Sequence, residues 1–228
     1  YQSLEMRYAS LKEKYTDIED YSSWQEDTIP ANKITLVNNG THAGPKTPLV
    51  LQTIRYLAQN ADNVTIQTPY VICNGYMYDT LNEIASHAQL KIILNAVEKG
   101  SNPWGCTDYL NQKKKILETG ADVYELMNDY PVHTKAVLIN DRLSVVGSYN
   151  LDMRSTYLDT ELMLVIDSEK LSQQIHETES DYMEKSKEVL ANGQETEGAK
   201  YQGKVLNRKK KLYYGVLRII IRPLRQLL

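Results

Sequence analysis

Phenylalanine is absent from this chain of 228 residues, which carries 17 tyrosines instead. A buried tyrosine needs a partner for its hydroxyl, so such a core demands polar satisfaction that phenylalanine would not. Cysteine is nearly absent as well. Cys73 and Cys106 have no metal-ligand spacing, which leaves buried free thiols as the default and a disulfide undecided. No CxxC or HExxH pattern occurs, so the sequence signals no metal site of those kinds. No apolar run is long enough to span a bilayer, and no signal peptide is visible.

What is present is ordinary for a globular protein: 42% hydrophobic and 24% charged residues, with a formal net charge of −3. That length supports one α/β domain with appendages. Residues 3–20 read as a polar helix with Leu4, Tyr8, Leu11 and Tyr15 on one stripe. Strands are predicted over 34–37, 64–69, 90–95, 122–126 and 161–167, and helices over 49–58, 77–88, 109–119 and near 168–190. Gly120 stops the third of these helices. Strands alternating with helices predict an α/β layered sandwich whose mixed sheet is mostly parallel and flanked by helices.

One segment concentrates chemistry. His133, Thr134 and Lys135 precede an apolar run, residues 136–139, which turns at 140–142 and returns over 143–146. Gly147-Ser148-Tyr149-Asn150 and then Glu161 follow. The pattern predicts a β-hairpin over 133–148. Strand side chains alternate, so His133 and Lys135 share a face, and the antiparallel return brings Ser148 and Asn150 beside them. A nucleophilic imidazole, a cation, neutral donors and a carboxylate suit phosphoryl transfer. His133 can attack phosphorus and split one displacement into two. Lys135, Ser148 and Asn150 can hold the developing oxyanion. Glu161 can orient the imidazole.

His133-x-Lys135 with Gly147-Ser148-x-Asn150 resembles the HKD motif of the phospholipase D superfamily. Leu151-Asp152-Met153-Arg154-Ser155, then Tyr157-Leu158-Asp159-Thr160-Glu161, resembles its cardiolipin synthase branch. Gln67-Thr68-Pro69-Tyr70 is similar to the strand end that opens the second catalytic half of those enzymes, and the Arg/Leu-rich end of the chain, residues 218–228, is similar to theirs. The resemblance spans roughly 33–228. It implies a layered phospholipase D-like fold, no cofactor and no metal. The catalytic residues it implies are His133, Lys135 and Glu161, with Lys135, Ser148 and Asn150 on the phosphate. The implied reaction is phosphatidyl transfer, or phosphodiester cleavage of a phospholipid such as phosphatidylglycerol, through a phosphohistidine. His133 is either its nucleophile or its acid.

Two departures matter. The motif's supporting Asp is Asn140 here, with Asp141 one position later, and a one-residue shift points a side chain elsewhere. Moreover, family active sites pair two HKD motifs, whereas His42, His87 and His176 have no lysine two residues on. The expected partner is a missing N-terminal HKD half or a second copy of the chain, the former preferred. Residues 1–32 read as a helical tail and linker from a preceding region, 33–192 as the catalytic domain with a single motif, and 193–207 as a polar linker. Residues 208–228 read as a basic amphipathic segment.

That segment carries Arg208, Lys209, Lys210, Lys211, Arg218, Arg222 and Arg225 and no acid. Arg218, Arg222 and Arg225 fall on one helical face, with Leu217, Ile219, Ile220 and Ile221 around the remainder. Such a segment suits contact with an anionic membrane surface, in line with a bacterial membrane-associated protein. The plainer alternative is a terminal helix docked on the domain. An acidic body argues against a nuclease, which would present a basic face at its site. A homodimeric phosphodiesterase or endonuclease of the same superfamily and a non-catalytic lipid-binding half remain the alternatives. Lys113-Lys114-Lys115 reads as a solvated helix face in preference to a head-group contact. Trp104 either lines an acyl opening or anchors its loop, and Arg154 and Ser155 either bind substrate or cap a turn. Asn39-Gly40-Thr41 and Asn63-Val64-Thr65 match the glycosylation sequon.

Overall fold

The computed structural model describes every residue except 18, 21 and 23–27, in two compact units, Tyr1–Pro30 and Ala31–Leu228. In the first unit, α1 (Gln2–Lys14) has no buried residue. Tyr15 is extended, with φ −125° and ψ 90°, so the helix ends short of residue 20. Residue 18 of the predicted helix, and 21 and 23–27 of the predicted linker, lie outside the described residues.

The second unit runs β1 (Lys33–Asn38), α2 (Leu49–Leu57), β2 (Asn63–Gln67), α3 (Gly75–Ala85), β3 (Gln89–Asn95), α4 (Pro103–Leu117) and β4 (Asp122–Leu126). It continues with β5 (Ala136–Ile139), β6 (Leu143–Gly147), α5 (Met153–Tyr157), β7 (Leu162–Asp167) and α6 (Glu169–Glu184). It ends with β8 (Ser186–Val189), β9 (Glu195–Glu197), α7 (Arg208–Ile220) and a 3-10 turn, Arg222–Leu227. Nine strands form one sheet in the order β1-β7-β6-β5-β2-β3-β4-β8-β9.

The α/β class is as expected, but the sheet is not mostly parallel. Only β2–β3 and β3–β4 run parallel; the other pairings are antiparallel. A parallel pair needs a crossover long enough for a helix, and only α3 and α4 supply one. The segment between β4 and β5 contains no helix, and β5 returns antiparallel beside β2.

Strand periodicity sorts the two faces. Val64, Ile66, Leu90, Ile92, Val137 and Val145 meet α2, α3, α4 and α7 in the main core. Ile93, Tyr124 and Leu126 point to the opposite face, where Tyr182 and Met183 of α6 cover them. Three of the helices, α3, α4 and α6, begin where short polar side chains cap them: Asn74 Oδ1 accepts from Met77 N–H, Asn102 from Trp104 N–H, and Ser168 Oγ from Leu171 N–H. The Asn102-Pro103 start places α4 six residues ahead of its predicted beginning at Tyr109. The predicted helix over 168–190 ends at Glu184, and β8 then pairs with β4. β9 forms inside the stretch read as a polar linker.

Four buried tyrosines find partners for their hydroxyls. Tyr109, fully buried, donates to Glu125 Oε1 at 2.8 Å, and the Tyr149 and Thr156 hydroxyls are bonded at 2.8 Å. Tyr78 bonds Gln112 and Tyr124 bonds Glu188. These rings therefore pack without stranding their hydroxyls.

The basic tail is docked. Tyr214, Leu217 and Ile221 are buried, and α7 lies along α4. Arg218 Nε donates to Asn111 Oδ1 at 3.0 Å, and Arg225 clasps the buried Asp108 carboxylate with two bonds of 2.7 and 2.8 Å. Arg218, Arg222 and Arg225 do not share one helical face, because α7 ends at Ile220 and Pro223 sits in a 3-10 turn. Leu212, Val216 and Ile219 remain exposed along the outer side of α7. No described helix is long and apolar enough to cross a membrane.

Candidate active site

The β5–β6 hairpin forms in the register Ala136↔Val146 to Ile139↔Leu143. Gly147 N–H donates to Lys135 O at 3.3 Å, so pairing continues one step past the strand and joins the two polar ends. The Lys135 ammonium lies 2.7 Å from Nδ1 and 3.1 Å from Nε2 of His133, and donates to the His133 carbonyl at 2.8 Å. His133 is exposed, whereas Lys135 is 9% exposed. Partial burial, then the adjacent ammonium, hold the imidazole below its usual 6.5. Burial also lowers Lys135, opposed by the carboxylates of Glu161 and Asp152. Both effects favour the neutral ring, the state a nucleophile needs.

On the neighbouring strands Ser148 Oγ donates to Glu161 Oε2 and accepts from Leu162 N–H at 3.0 Å. Asn150 Nδ2 donates to Ser155 Oγ at 3.3 Å. Its Oδ1 is buried with no partner among the described residues. A half-turn of this amide would present its NH2 and let Oδ1 accept from Ser155, so the site holds one uncommitted amide end.

The expected contact of Glu161 with His133 is corrected. Glu161 sits just before β7, which lies beside β6, so its carboxylate reaches Ser148 at the end of β6. His133 precedes β5, on the far side of β6. Glu161 instead anchors Ser148 and supports the charge of Lys135.

Asn140 and Asp141 are not brought to the site. They lie at the opposite end of β5 from His133, and Asp141 is exposed on the turn. Asn140 has a left-handed φ of 51°, a conformation asparagine adopts more readily than most residues. Its Oδ1 accepts from the backbone N–H groups of Asp62 and Asn63, both at 3.0 Å. An amide oxygen serves that acceptor role as a carboxylate would. Asn140→Asp is therefore expected to change stability by less than about 0.5 kcal/mol, and Asn140→Ala to destabilise by about 2 kcal/mol, read by urea denaturation. A larger loss for Asp than for Ala would contradict this role.

Asp152 was not singled out as a functional residue from the sequence. It caps α5 by accepting from Ser155 N–H at 2.6 Å and is 3% exposed. Burial pushes its carboxyl up to about 6, and Glu161 adds to the rise. The Asp152-x-x-Ser155 spacing before a short helix was the available signal. Residues 68 and 72 brace this loop: Thr68 Oγ1 accepts from Leu151 N–H at 3.2 Å, and Ile72 N–H donates to Leu151 O at 2.9 Å. Gln67 Nε2 is buried and has no partner among the described residues. Arg154 pairs with Asp159, and Ser155 is buried in the turn. Asn39 is fully buried, with Oδ1 accepting from Val50 N–H and Nδ2 donating to Ser155 O, which removes it as a glycosylation acceptor. Trp104 lies in the first turn of α4 and is partly exposed. Among the described residues, no three His, Cys, Asp or Glu side chains gather to hold a metal ion.

The family model described as "Cardiolipin synthase, PLD-like domain" matches residues 53–181, more than half of the chain and all of the site described above. Cardiolipin synthase A of Buchnera aphidicola subsp. Schizaphis graminum is 29% identical over 142 residues, 60% of this chain and 27% of that protein. Cardiolipin synthase A of Proteus mirabilis is 29% identical over 150 residues, 64% of this chain and 29% of that protein. The chain thus spans less than a third of the length of these curated relatives. Among solved structures, phosphatidylserine synthase of Haemophilus influenzae superposes with a TM-score of 0.60 at 16% identity, covering 86% of this chain and 47% of that one. The phospholipase D family member Nuc of Salmonella typhimurium superposes with a TM-score of 0.54 at 14% identity, covering 68% of this chain and 98% of that one. At those identities the two structures bear on the fold, and the sequence match carries the assignment: the chain belongs to the cardiolipin synthase, phospholipase D-like domain family.

Proposed function

We propose that this chain supplies one half of a phosphatidyl-transfer site that works through a phosphohistidine on His133. The observation that carries the reading is the placement of the Lys135 ammonium 2.7 Å from the His133 ring, with Ser148 and Asn150 on the adjoining turn. In the first step a His133 ring nitrogen attacks phosphorus of a phospholipid diester. A P–N bond forms, the P–O bond to the leaving alcohol breaks, and the departing oxygen takes a proton from an acid. In the second step an acceptor hydroxyl gives its proton to that group and attacks phosphorus, and the P–N bond breaks. Lys135, the Ser148 hydroxyl and the Asn150 amide bind the non-bridging oxygens, and Glu161 holds Ser148 in place.

The acid is the histidine of a second HxK-bearing half, either a preceding region of a longer protein or a second copy of this chain. The coverage figures accommodate both, since this fold accounts for nearly all of Nuc and for about half of phosphatidylserine synthase. A phospholipid such as phosphatidylglycerol is the substrate, by analogy with the cardiolipin synthase relatives. The exposed apolar outer side of α7, with the basic residues of its first turn, faces an anionic membrane surface.

Because burial and Lys135 lower the His133 pKa, the neutral imidazole persists below its ordinary titration range. The acid limb of kcat/KM for glycerol release from phosphatidylglycerol vesicles is expected to have its midpoint below about 6.5. A limb centred above about 7 would contradict a nucleophile held neutral by Lys135. Cleavage of DNA with no lipid turnover would favour an endonuclease instead.

A further inference from the structure

One cavity lies away from His133 and Lys135, between the start of α3, the middle of α4 and the C-terminal 3-10 turn. It encloses about 440 Å³ and is lined by Gly75, Tyr78, Lys115, Met153, Arg222 and Arg225, among others. No aspartate or glutamate lines it. Three cationic side chains therefore converge on one concave space, two of them from the last residues of the chain.

Only Arg225 is neutralised, by its two bonds to the fully buried Asp108. Lys115 sits 4.3 Å above the Tyr78 ring and has no carboxylate partner among the described residues. The Arg222 side chain lines the cavity with no hydrogen bond or ion pair among the described residues. Like charges gathered without counter-charge repel one another, and an anion relieves that repulsion. The volume suits a small polar ligand rather than an acyl chain. No heavy atom lies within 4 Å of where a side chain on Gly75 would begin, so the wall of α3 leaves room for an occupant.

We propose that this cavity binds a phosphate group, contacted by Arg222 and Lys115 and walled by the Asp108-held Arg225. Its source is either a phospholipid head group or a free phosphate ester. The exposed apolar side of α7 leads into the same turn and gives a lipid a route to it. The inference does not depend on the reading of His133. The cavity also touches the catalytic loop. Leu228 O accepts from Arg154 N–H at 2.7 Å, on the short helix α5 that Asp152 caps, so an occupant braces the C-terminal turn against that helix.

The test is a two-dimensional NMR titration of the isotope-labelled 228-residue chain with inorganic phosphate, which separates this cavity from the His133 site. Saturable shifts are expected at Gly75, Tyr78 and Arg222. In the Lys115→Gln/Arg222→Gln double variant the affinity read there is expected to fall about tenfold or more. Arg222→Lys should retain most of it, and Lys114→Gln, an exposed neighbour, should leave it unchanged. The dispersion of the same spectra verifies folding. Phosphatidylcholine vesicles with and without phosphatidylglycerol then identify the source: displacement of phosphate by the anionic vesicles alone assigns a lipid head group, and no displacement assigns a free phosphate ester. Cavity shifts that persist undiminished in the double variant would overturn the proposal. So would a wild-type chain that shows none with phosphate or with either vesicle.

Discussion

Replacing His133 with alanine is expected to lower phosphatidyl transfer at least about a thousandfold, because it removes the atom that bonds to phosphorus and leaves only binding and charge stabilisation. The substitution lies outside the regular strand and in an exposed position, so folding should survive it. Lys135→Gln is expected to cost about a hundredfold, since the ammonium both stabilises charge on the phosphoryl oxygens and keeps the ring neutral. The two losses should not add, because the residues act as a unit. Release of glycerol from phosphatidylglycerol, with far-ultraviolet circular dichroism as the fold control, reads all three proteins. If His133→Ala retained turnover within about tenfold of wild type, the nucleophile would lie elsewhere.

The second large effect is on stability. Glu179, on α6, is fully buried and neither of its carboxylate oxygens has a partner among the described residues. Burial pushes its carboxyl up to about 8, with Lys91 of β3 opposing the rise. The folded-state pKa thus exceeds the unfolded value of 4.5. The stability that the neutral form contributes is complete below that unfolded value and is lost as pH rises through about 8. A displacement of that size corresponds to ~5 kcal/mol. Glu179→Met fills the same volume without a charge. It is expected to raise unfolding free energy on the order of 5 kcal/mol at about pH 9 and by far less at about pH 5. Glu179→Gln should flatten the same pH dependence with a smaller absolute gain, since its amide is also buried. Urea denaturation at the two pH values measures this. An equal effect of Glu179→Met at both would mean that the carboxyl does not titrate between them.

Much of the site was legible because it rests on local pattern. The apolar run, three-residue turn and apolar return fix a hairpin that joins the two polar ends, but its register sets Gly147 opposite Lys135 and Ser148 opposite Thr134, so period two alone does not put Ser148 on the face of His133 and Lys135. The strand over 122–126 was legible for a similar reason: Gly120, with φ +90°, ends the helix before it, and an apolar alternation follows. What failed were the long-range relations. Parallel and antiparallel neighbours depend on which connections carry helices across the sheet, and β1 and β8 find partners far away in sequence, β7 and β4. β8 was hidden because Ser186–Val189 continues a polar helical stretch and becomes a strand only by pairing with β4. Glu161 was assigned to the wrong partner because spacing along the chain does not reveal that β6 stands between it and His133. Asp152 and Glu179 were missed because an acid's burial is a property of the packed fold. In the tail the helical face drawn through Arg218, Arg222 and Arg225 ignored Pro223, which turns the last arginines away from the helix axis and onto Asp108 and the cavity.

The most direct test of the central claim is acid-free mass spectrometry of the protein after brief exposure to phosphatidylglycerol vesicles, made on the 228-residue chain and on the native protein isolated from its source. A phosphatidyl adduct on the peptide that contains His133, lost on acid treatment and absent from His133→Ala, is the result expected. Lipid turnover with no adduct on that peptide, unchanged in His133→Ala, would contradict it.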